Sequence, residues 1–219
     1  MSAHTLAEIF LRLEEQGAHN INLVTPTPHI STIREALILA KEEGLSIPTV
    51  YNTGGYDSVD ALKSLDGLID IYLPDLKYVC AQKSQRYSSA PNYFEHASAA
   101  LNEMFRQVGH LKLDKNSIAL KGMLIRHLVL PGNLKNTRDV LKYILETYSK
   151  GMFVSLMGQY FPPSSTLEPP LNRRLTQREY ESAVDECIQL GFNNVYIQSI
   201  SSATETYVPQ FYDDPINNY

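Results

Sequence analysis

The sequence of 219 residues has only two cysteines, no tryptophan, and fewer basic than acidic side chains. Cys80 and Cys187 are far apart, which excludes a disulfide-rich scaffold and gives no metal-binding spacing. The net charge is −5, and lysine and arginine are scattered rather than clustered. This distribution argues against nucleic acid or a membrane surface as a partner.

Long apolar runs are also missing. No segment approaches the roughly 18 apolar residues of a membrane helix, and the opening "MSAHTLAEIF" lacks the basic end and apolar core of a signal peptide. We therefore expect a cytoplasmic protein. Its composition, 43% hydrophobic and 20% charged, is typical of a globular chain. The length suits one domain over residues 1–219, with a core at about 5–200 and an irregular tail at 201–219.

Apolar strand-like runs alternate with amphipathic helical segments along the chain. Six strands are predicted, in the segments "NINLVT", "PTVYNT", "DIYLP", "GMLIRHLVL", "MFVSLM" and "NVYIQS". Strands that are apolar on both faces and separated by helices indicate a parallel sheet. We predict an α/β fold, a partial (β/α)6 TIM-like barrel, with a short excursion or hairpin before the fourth strand. Because the chain opens with a helix, we expect that the first strand of the barrel is missing.

Local signals predict helix starts and the state of the two thiols. Thr176 and Glu179 form a capping-box pattern, Asp57 is expected to open a short helix, and Asn136 to cap another. Cys80 and Cys187 fall in helical segments and are predicted to be buried thiols.

Polar and small residues follow each predicted strand, where parallel α/β folds bind their ligands. In strand order they are Thr25, Thr27 and His29; Asn52, Thr53, Gly54 and Gly55; Asp75 and Lys77; Arg126, Pro131 and Gly132; Gln159, Tyr160 and Phe161; and Gln198 and Ser199. This clustering predicts a site at the carboxyl edge of the sheet. No spacing of histidines or cysteines suggests a metal site.

Charged residues in this set admit two interpretations. Asp75 and Lys77 could be a local ion pair, although exposed pairs contribute only about 0–1 kcal/mol. Arg126 and His127 lie inside an apolar run, and strand alternation turns them to opposite faces. We expect Arg126 to face inward and meet a carboxylate such as Asp75 or a ligand anion, and His127 to be a packing histidine with satisfied hydrogen bonds. Gly54 and Gly55 predict a tight turn or a close backbone approach.

Five stretches carry a resemblance to a known family. "NINLVTPT", "IPTVYNTGGY", "DIYLPDLKY", "IRHLVLPG" and "SLMGQYFPP" occur in this order over nearly the whole chain. Together they resemble the radical S-adenosylmethionine proteins related to pyruvate formate-lyase activating enzymes. The resemblance implies S-adenosylmethionine and a 4Fe–4S cluster as cofactors. It also implies that S-adenosylmethionine is cleaved reductively to a 5′-deoxyadenosyl radical, which abstracts a hydrogen atom. The implied partners are an electron donor and a protein substrate such as a glycyl radical enzyme.

The resemblance also implies roles for individual residues. It assigns Lys77, Asp75 and Arg126 to catalysis and to holding the cofactor, with Arg126 reaching its carboxylate or the substrate. The remaining cofactor-binding positions are Thr25, Thr27, Asn52, Thr53, Gly54, Gln159 and Tyr160. Thr25 and Thr27 stand where the family has a glycine-rich segment, and Asn52 stands where an acid is common. Phe161 stands beside Tyr160 where a histidine is frequent.

One departure from the family concerns the cluster. Its ligands are three cysteines of a CxxxCxxC loop, and this sequence has no such motif. Closely spaced thiolates are what an iron–sulfur cluster requires. We therefore expect that this chain lacks the cluster loop and is inactive alone. Two alternatives stay open: a binding or scaffold barrel without turnover, and an aldolase-like barrel in which Lys77 forms a Schiff base with Asp75 as acid–base partner.

Overall fold

The predicted alternation of strands and helices is confirmed in a computed structural model, which describes residues 1–162 and 168–197. The elements in chain order are α1 (Ala3–Glu15), β1 (Ile21–Val24), a 3-10 turn (Thr27–His29), α2 (Ile30–Glu42), β2 (Thr49–Thr53), α3 (Val59–Lys63), β3 (Ile71–Pro74), α4 (Ala81–Ser88), α5 (Tyr93–Val108), β4 (Lys112–Leu113), β5 (Ala119–Leu128), α6 (Leu134–Tyr148), β6 (Phe153–Met157), α7 (Gln177–Leu190) and β7 (Asn194–Ile197).

All the strands within the described residues lie in one sheet. Its order is β1-β2-β3-β5-β6-β7, and each neighbouring pair is parallel. β4 pairs antiparallel with β5, which confirms the predicted hairpin. Six parallel strands in sequential order, with helices between them, confirm the α/β class and match a partial TIM-like barrel. The missing preceding strand stays a prediction.

The outer face of the sheet packs on the helices. Side chains such as Leu23, Tyr51, Tyr72 and Ile125 alternate with inward-facing residues and join the helices in one large apolar core. This alternation follows from the two-residue repeat of a strand. Neighbouring helices complete the layer, with α1 against α2 and α6 against α7.

The inner face has a smaller apolar cluster at its amino-terminal end. Val50 and Ile71 meet Leu111 there, and Leu111 belongs to the segment that leads into the β4–β5 hairpin. The crossing is tight at Gly122, whose φ is +126°. A Cβ at this position would lie 2.4 Å from the carbonyl oxygen of His110 and 2.4 Å from Leu111 Cα. The hairpin therefore forms a floor opposite the predicted site, and glycine permits it.

Helix starts agree with the sequence in one case and differ in two. The capping box of Thr176 and Glu179 is confirmed at α7. The prediction for α3 is wrong, because Ser58 caps it and Asp57 turns inward to buried hydroxyls. The prediction for α6 is also wrong: Asn133 occupies the N-cap position and Asn136 lies within the first turn.

β1 forms one edge of the sheet. Within the described residues β2 is its single strand neighbour, and Val24 is 65% exposed. In the same part of the chain, the helices are all too short or too polar to cross a bilayer.

Candidate functional site

The ends of β3 and β5 bring together three charged side chains that the sequence singled out. Arg126 donates from Nε to Oδ1 of Asp75 at 2.9 Å, and its Nη2 lies 2.7 Å from the same oxygen. Lys77 Nζ lies 3.8 Å from Oδ2 of Asp75. The predicted contact between Arg126 and Asp75 is confirmed. Each carboxylate oxygen therefore faces a different cation, which leaves one positive charge in excess.

These three residues line a cavity of about 470 Å³ at the carboxyl ends of the strands. Its wall consists of Asp75, Lys77, Arg126, Leu128, Met157, Gln159, Tyr160 and Phe161. The carboxylate of Asp75 is largely shielded, while the Lys77 side chain is 41% exposed. A half-buried pocket with two cations around one anion favours a ligand that carries a carboxylate or a phosphate.

His127 lies on the opposite face of β5 and is fully buried. Its Nδ1 contacts the carbonyl oxygen of Leu76 at 2.7 Å, and its Nε2 contacts the hydroxyl of Thr137 at 3.0 Å. This confirms the prediction of a satisfied packing histidine. Burial lowers the pKa of His127 to about 4, although the hydrogen bond to the Leu76 carbonyl acts to raise it. The ring is therefore neutral at physiological pH.

The glycine pair after β2 lies beside the same charges. A Cβ on Gly54 would be 3.5 Å from Lys77 Nζ, so Gly54 lies beside the ammonium group of Lys77. Gly55 has a φ of +81°, and a Cβ there would lie 2.2 Å from the carbonyl oxygen of Asp75. Because Gly55 has no side chain, the turn after β2 can approach the backbone of Asp75, which belongs to the site.

A buried carboxylate that the sequence did not single out as functional orders the loops after β1 and β2. Asp57 accepts hydrogen bonds from the hydroxyls of Thr27 at 2.7 Å, Tyr51 at 3.0 Å and Thr53 at 2.6 Å. Thr53 in turn accepts from the amide of Gly55 at 3.2 Å. The hydroxyls of Thr27 and Thr53 are therefore engaged with Asp57, and neither residue lines the cavity described above.

Thr25 and Asn52 do not line the cavity that contains the three charges. Thr25 has a φ of +53°, which is uncommon for a β-branched residue. It lines a second cavity of about 400 Å³ between α1, the free side of β1 and the start of α2. Asn52 is half-buried and shares the inner face of β2 with Val50.

The end of β6 and the segment after it contribute the far wall. Gln159 and Tyr160 line the charged cavity as the sequence predicted for its strand ends. The Tyr160 hydroxyl donates to the carbonyl oxygen of Leu171 at 2.7 Å, so this donor is already engaged within the chain. The predicted site residues Gln198 and Ser199 lie outside the described residues.

The two thiols lie in different environments. Cys187 is buried in α7, which confirms its prediction, and burial raises its pKa to about 12. For Cys80 the prediction is wrong, because it is half-buried at the N-cap of α4 with Sγ 2.9 Å from Gln82 Oε1. Over residues 1–162 and 168–197 no three His, Cys, Asp or Glu side chains come together as a metal site.

Comparison with known sequences finds a relative of unknown activity. The chain is 30% identical over 183 residues to MJ0674, an uncharacterized protein of Methanocaldococcus jannaschii. The match covers 81% of this chain and 48% of that protein, so the chain spans about half the length of the curated relative. No family model matches the sequence.

Comparison with solved structures supports the fold. A domain of pyruvate-formate lyase-activating enzyme from Bacteroides vulgatus superposes with a TM-score of 0.57 at 11% identity, covering 82% of this chain and 98% of that one. The structure of native anSMEcpe with bound AdoMet and Kp18Cys peptide superposes with a TM-score of 0.61 at 15% identity. That match covers 90% of this chain and 55% of anSMEcpe. The chain has the fold of these proteins.

Proposed function

We propose that this chain is the S-adenosylmethionine-binding part of a protein of the radical S-adenosylmethionine, activating-enzyme-like type. The observation that carries the proposal is the convergence of Asp75, Lys77 and Arg126 in one cavity at the carboxyl edge of the sheet. The AdoMet bound to anSMEcpe, a structure with the same fold, supports this choice of ligand.

The three charged groups suit the amino-acid end of the cofactor. A carboxylate is best met by cations, and Arg126 and Lys77 offer two. An α-ammonium group requires an anion or an acceptor, which Asp75 offers on the oxygen that faces Lys77. Gln159 adds an uncharged amide that both donates and accepts. We propose that these four side chains bind and orient the methionyl part, with Gly54 and Tyr160 at the border of the site.

The residues present do not fit a 4Fe–4S cluster. Such a cluster requires at least three nearby thiolates, and the sequence holds only Cys80 and Cys187. One is at the start of α4 and the other is buried in α7. No radical step is therefore assigned to this chain, and hydrogen abstraction from a protein substrate, with an external electron donor, belongs to the proposed complete protein.

A binding barrel without turnover, the first alternative, would use the same ligand site, and the same first experiment tests its ligand binding. A Schiff-base role for Lys77 has less support from the geometry. Nucleophilic lysines are activated by desolvation or by a neighbouring cation, whereas the Lys77 side chain is 41% exposed and pairs with an acid.

Titration calorimetry of the purified chain tests the proposal. We expect S-adenosylmethionine to bind without added iron, and Lys77→Met to weaken binding by about 10- to 100-fold, because a charge-assisted contact is lost. Methylthioadenosine, which lacks the amino-acid end, should bind the parent chain and Lys77→Met with equal affinity. Lys63→Met is the matched control, since Lys63 also pairs with an acid, Asp60, at 3.6 Å.

Two results would contradict the proposal. Absence of binding to the parent chain would refute the choice of cofactor. Equal weakening of S-adenosylmethionine binding by Lys77→Met and Lys63→Met would show that the charged cavity is not where the cofactor binds.

A further inference from the structure

The segment from Asp75 to Lys77 continues past the end of β3, and all of its backbone polar groups are bonded. Two of its amides use neighbouring strands: Asp75 donates to the carbonyl of Thr53, and Leu76 donates to the carbonyl of Arg126, each at 2.9 Å. The third amide and all three carbonyls are bonded by side chains. Beyond the end of strand pairing, side chains therefore supply the hydrogen-bond partners of the backbone.

Three side chains from three elements supply these bonds. Tyr93 of α5 accepts from the amide of Lys77 at 3.0 Å, and its hydroxyl, which has one hydrogen to donate, lies 3.0 Å from the carbonyl oxygen of Asp75 and 3.2 Å from that of Gly54. His127 of β5 bonds the carbonyl of Leu76. Asn136 of α6 donates from Nδ2 to the carbonyl of Lys77 at 2.8 Å.

All three residues are buried, and none of them lines the cavity. Leu76 is likewise fully buried. Strand alternation then turns Asp75 and Lys77 to the cavity side. Tyr93 additionally ties the Gly54 turn to the segment, and thereby sets the distance between Gly54 and the Lys77 side chain.

We infer that Tyr93, His127 and Asn136 are positioning residues, which fix the backbone of residues 75–77 so that Asp75 and Lys77 are held ready for a ligand. The inference rests on the proposed function for its effect on ligand affinity. Groups held in place before binding lose less freedom on binding, so loosening their support weakens affinity without removing any ligand contact.

Two isosteric variants separate positioning from general stability. Tyr93→Phe removes only the hydroxyl, and Tyr148→Phe is the matched control. Both rings are 4% exposed, and the Tyr148 hydroxyl donates to Asn102 at 2.7 Å, away from the site. Amide hydrogen exchange without ligand should rise about tenfold at Leu76 and Lys77 in Tyr93→Phe and stay unchanged in Tyr148→Phe.

Affinity for S-adenosylmethionine provides the second readout. It should fall about tenfold in Tyr93→Phe and in Asn136→Ala, while Tyr148→Phe keeps the parent affinity even where its melting temperature drops equally. Unchanged exchange at Leu76 and Lys77 would overturn the inference, as would unchanged affinity in Tyr93→Phe when the parent binds. A parent chain that binds no S-adenosylmethionine would refute the proposed function alone, since the exchange measurement still decides the role of Tyr93.

Discussion

Stability of the fold should fall as the pH drops from 7 to 5 because of His127. The ring is fully buried between β3 and α6, and its pKa is lowered from 6.5 to about 4. In the unfolded chain the ring takes up a proton near pH 6.5, whereas in the folded chain it does so only near pH 4. The unfolded state thus binds more protons in this window, and stability rises with pH through it.

The size of the effect follows from the two pKa values. The full difference corresponds to roughly 3 kcal/mol, reached once the pH is below both values. Between pH 7 and pH 5 the free energy of unfolding should drop by about 2 kcal/mol. Glu103, whose pKa the neighbouring Arg106 lowers to about 2, stays ionised in both states over most of this range, and its stabilisation is lost only at lower pH. The slope above pH 5 is therefore assigned mainly to His127.

Urea denaturation at pH 7, 6 and 5 measures this slope, and NMR titration of the ring follows its protonation directly. His127→Gln should flatten the slope, and replacement of the exposed His19 by Gln should leave it unchanged. If His127→Gln does not fold, the NMR titration of the parent chain still decides. A ring that titrates near pH 6.5 in the folded chain, or a stability that is level from pH 7 to pH 5, would refute the reasoning.

Two further substitutions probe the floor and the loop support. Gly122→Ala should lower the free energy of unfolding by about 2 kcal/mol more than Gly44→Ala. Both glycines have positive φ, but of the two only a Cβ at position 122 would meet backbone atoms within 4 Å. Equal losses in urea denaturation would contradict the tight crossing. Asp57→Asn should lower the free energy of unfolding by about 2 kcal/mol, since three hydroxyls donate to this carboxylate. Asp60→Asn, at a 94% exposed side chain, is its control, and an equal small loss in both would contradict the role given to Asp57.

The sequence predicts the strands and the charged cavity well because both follow from local rules. Apolar runs bounded by helical periodicity mark the strands, and parallel order places Asp75, Lys77 and Arg126 at one edge. Strand alternation alone separates Arg126 from His127. These features depend on the residues of a strand and its immediate neighbours, so a single sequence carries them.

The supporting residues could not be found in this way. Asp57 follows a glycine turn and precedes Ser58, so a helix start is the obvious interpretation. Its hydroxyl partners come instead from two positions on β2 and one in the turn after β1. Asn136 is three residues past the true N-cap, and its amide reaches the carbonyl of Lys77, 59 positions away in the chain. Such contacts are set by the packing of elements, which no local pattern records.

The free side of β1 affects how readily the chain can pair with other extended segments. Parallel pairing with β2 uses the amides of Ile21 and Thr25, so the alternate backbone groups of Asn22 and Val24 face outward. Natural sheet edges are commonly blunted by lysine, proline or a bulge, and the four residues INLV contain neither lysine nor proline. The outward-facing backbone groups of Asn22 and Val24 are therefore positions to which an additional extended segment can pair, and the net charge of −5 opposes the association of identical chains.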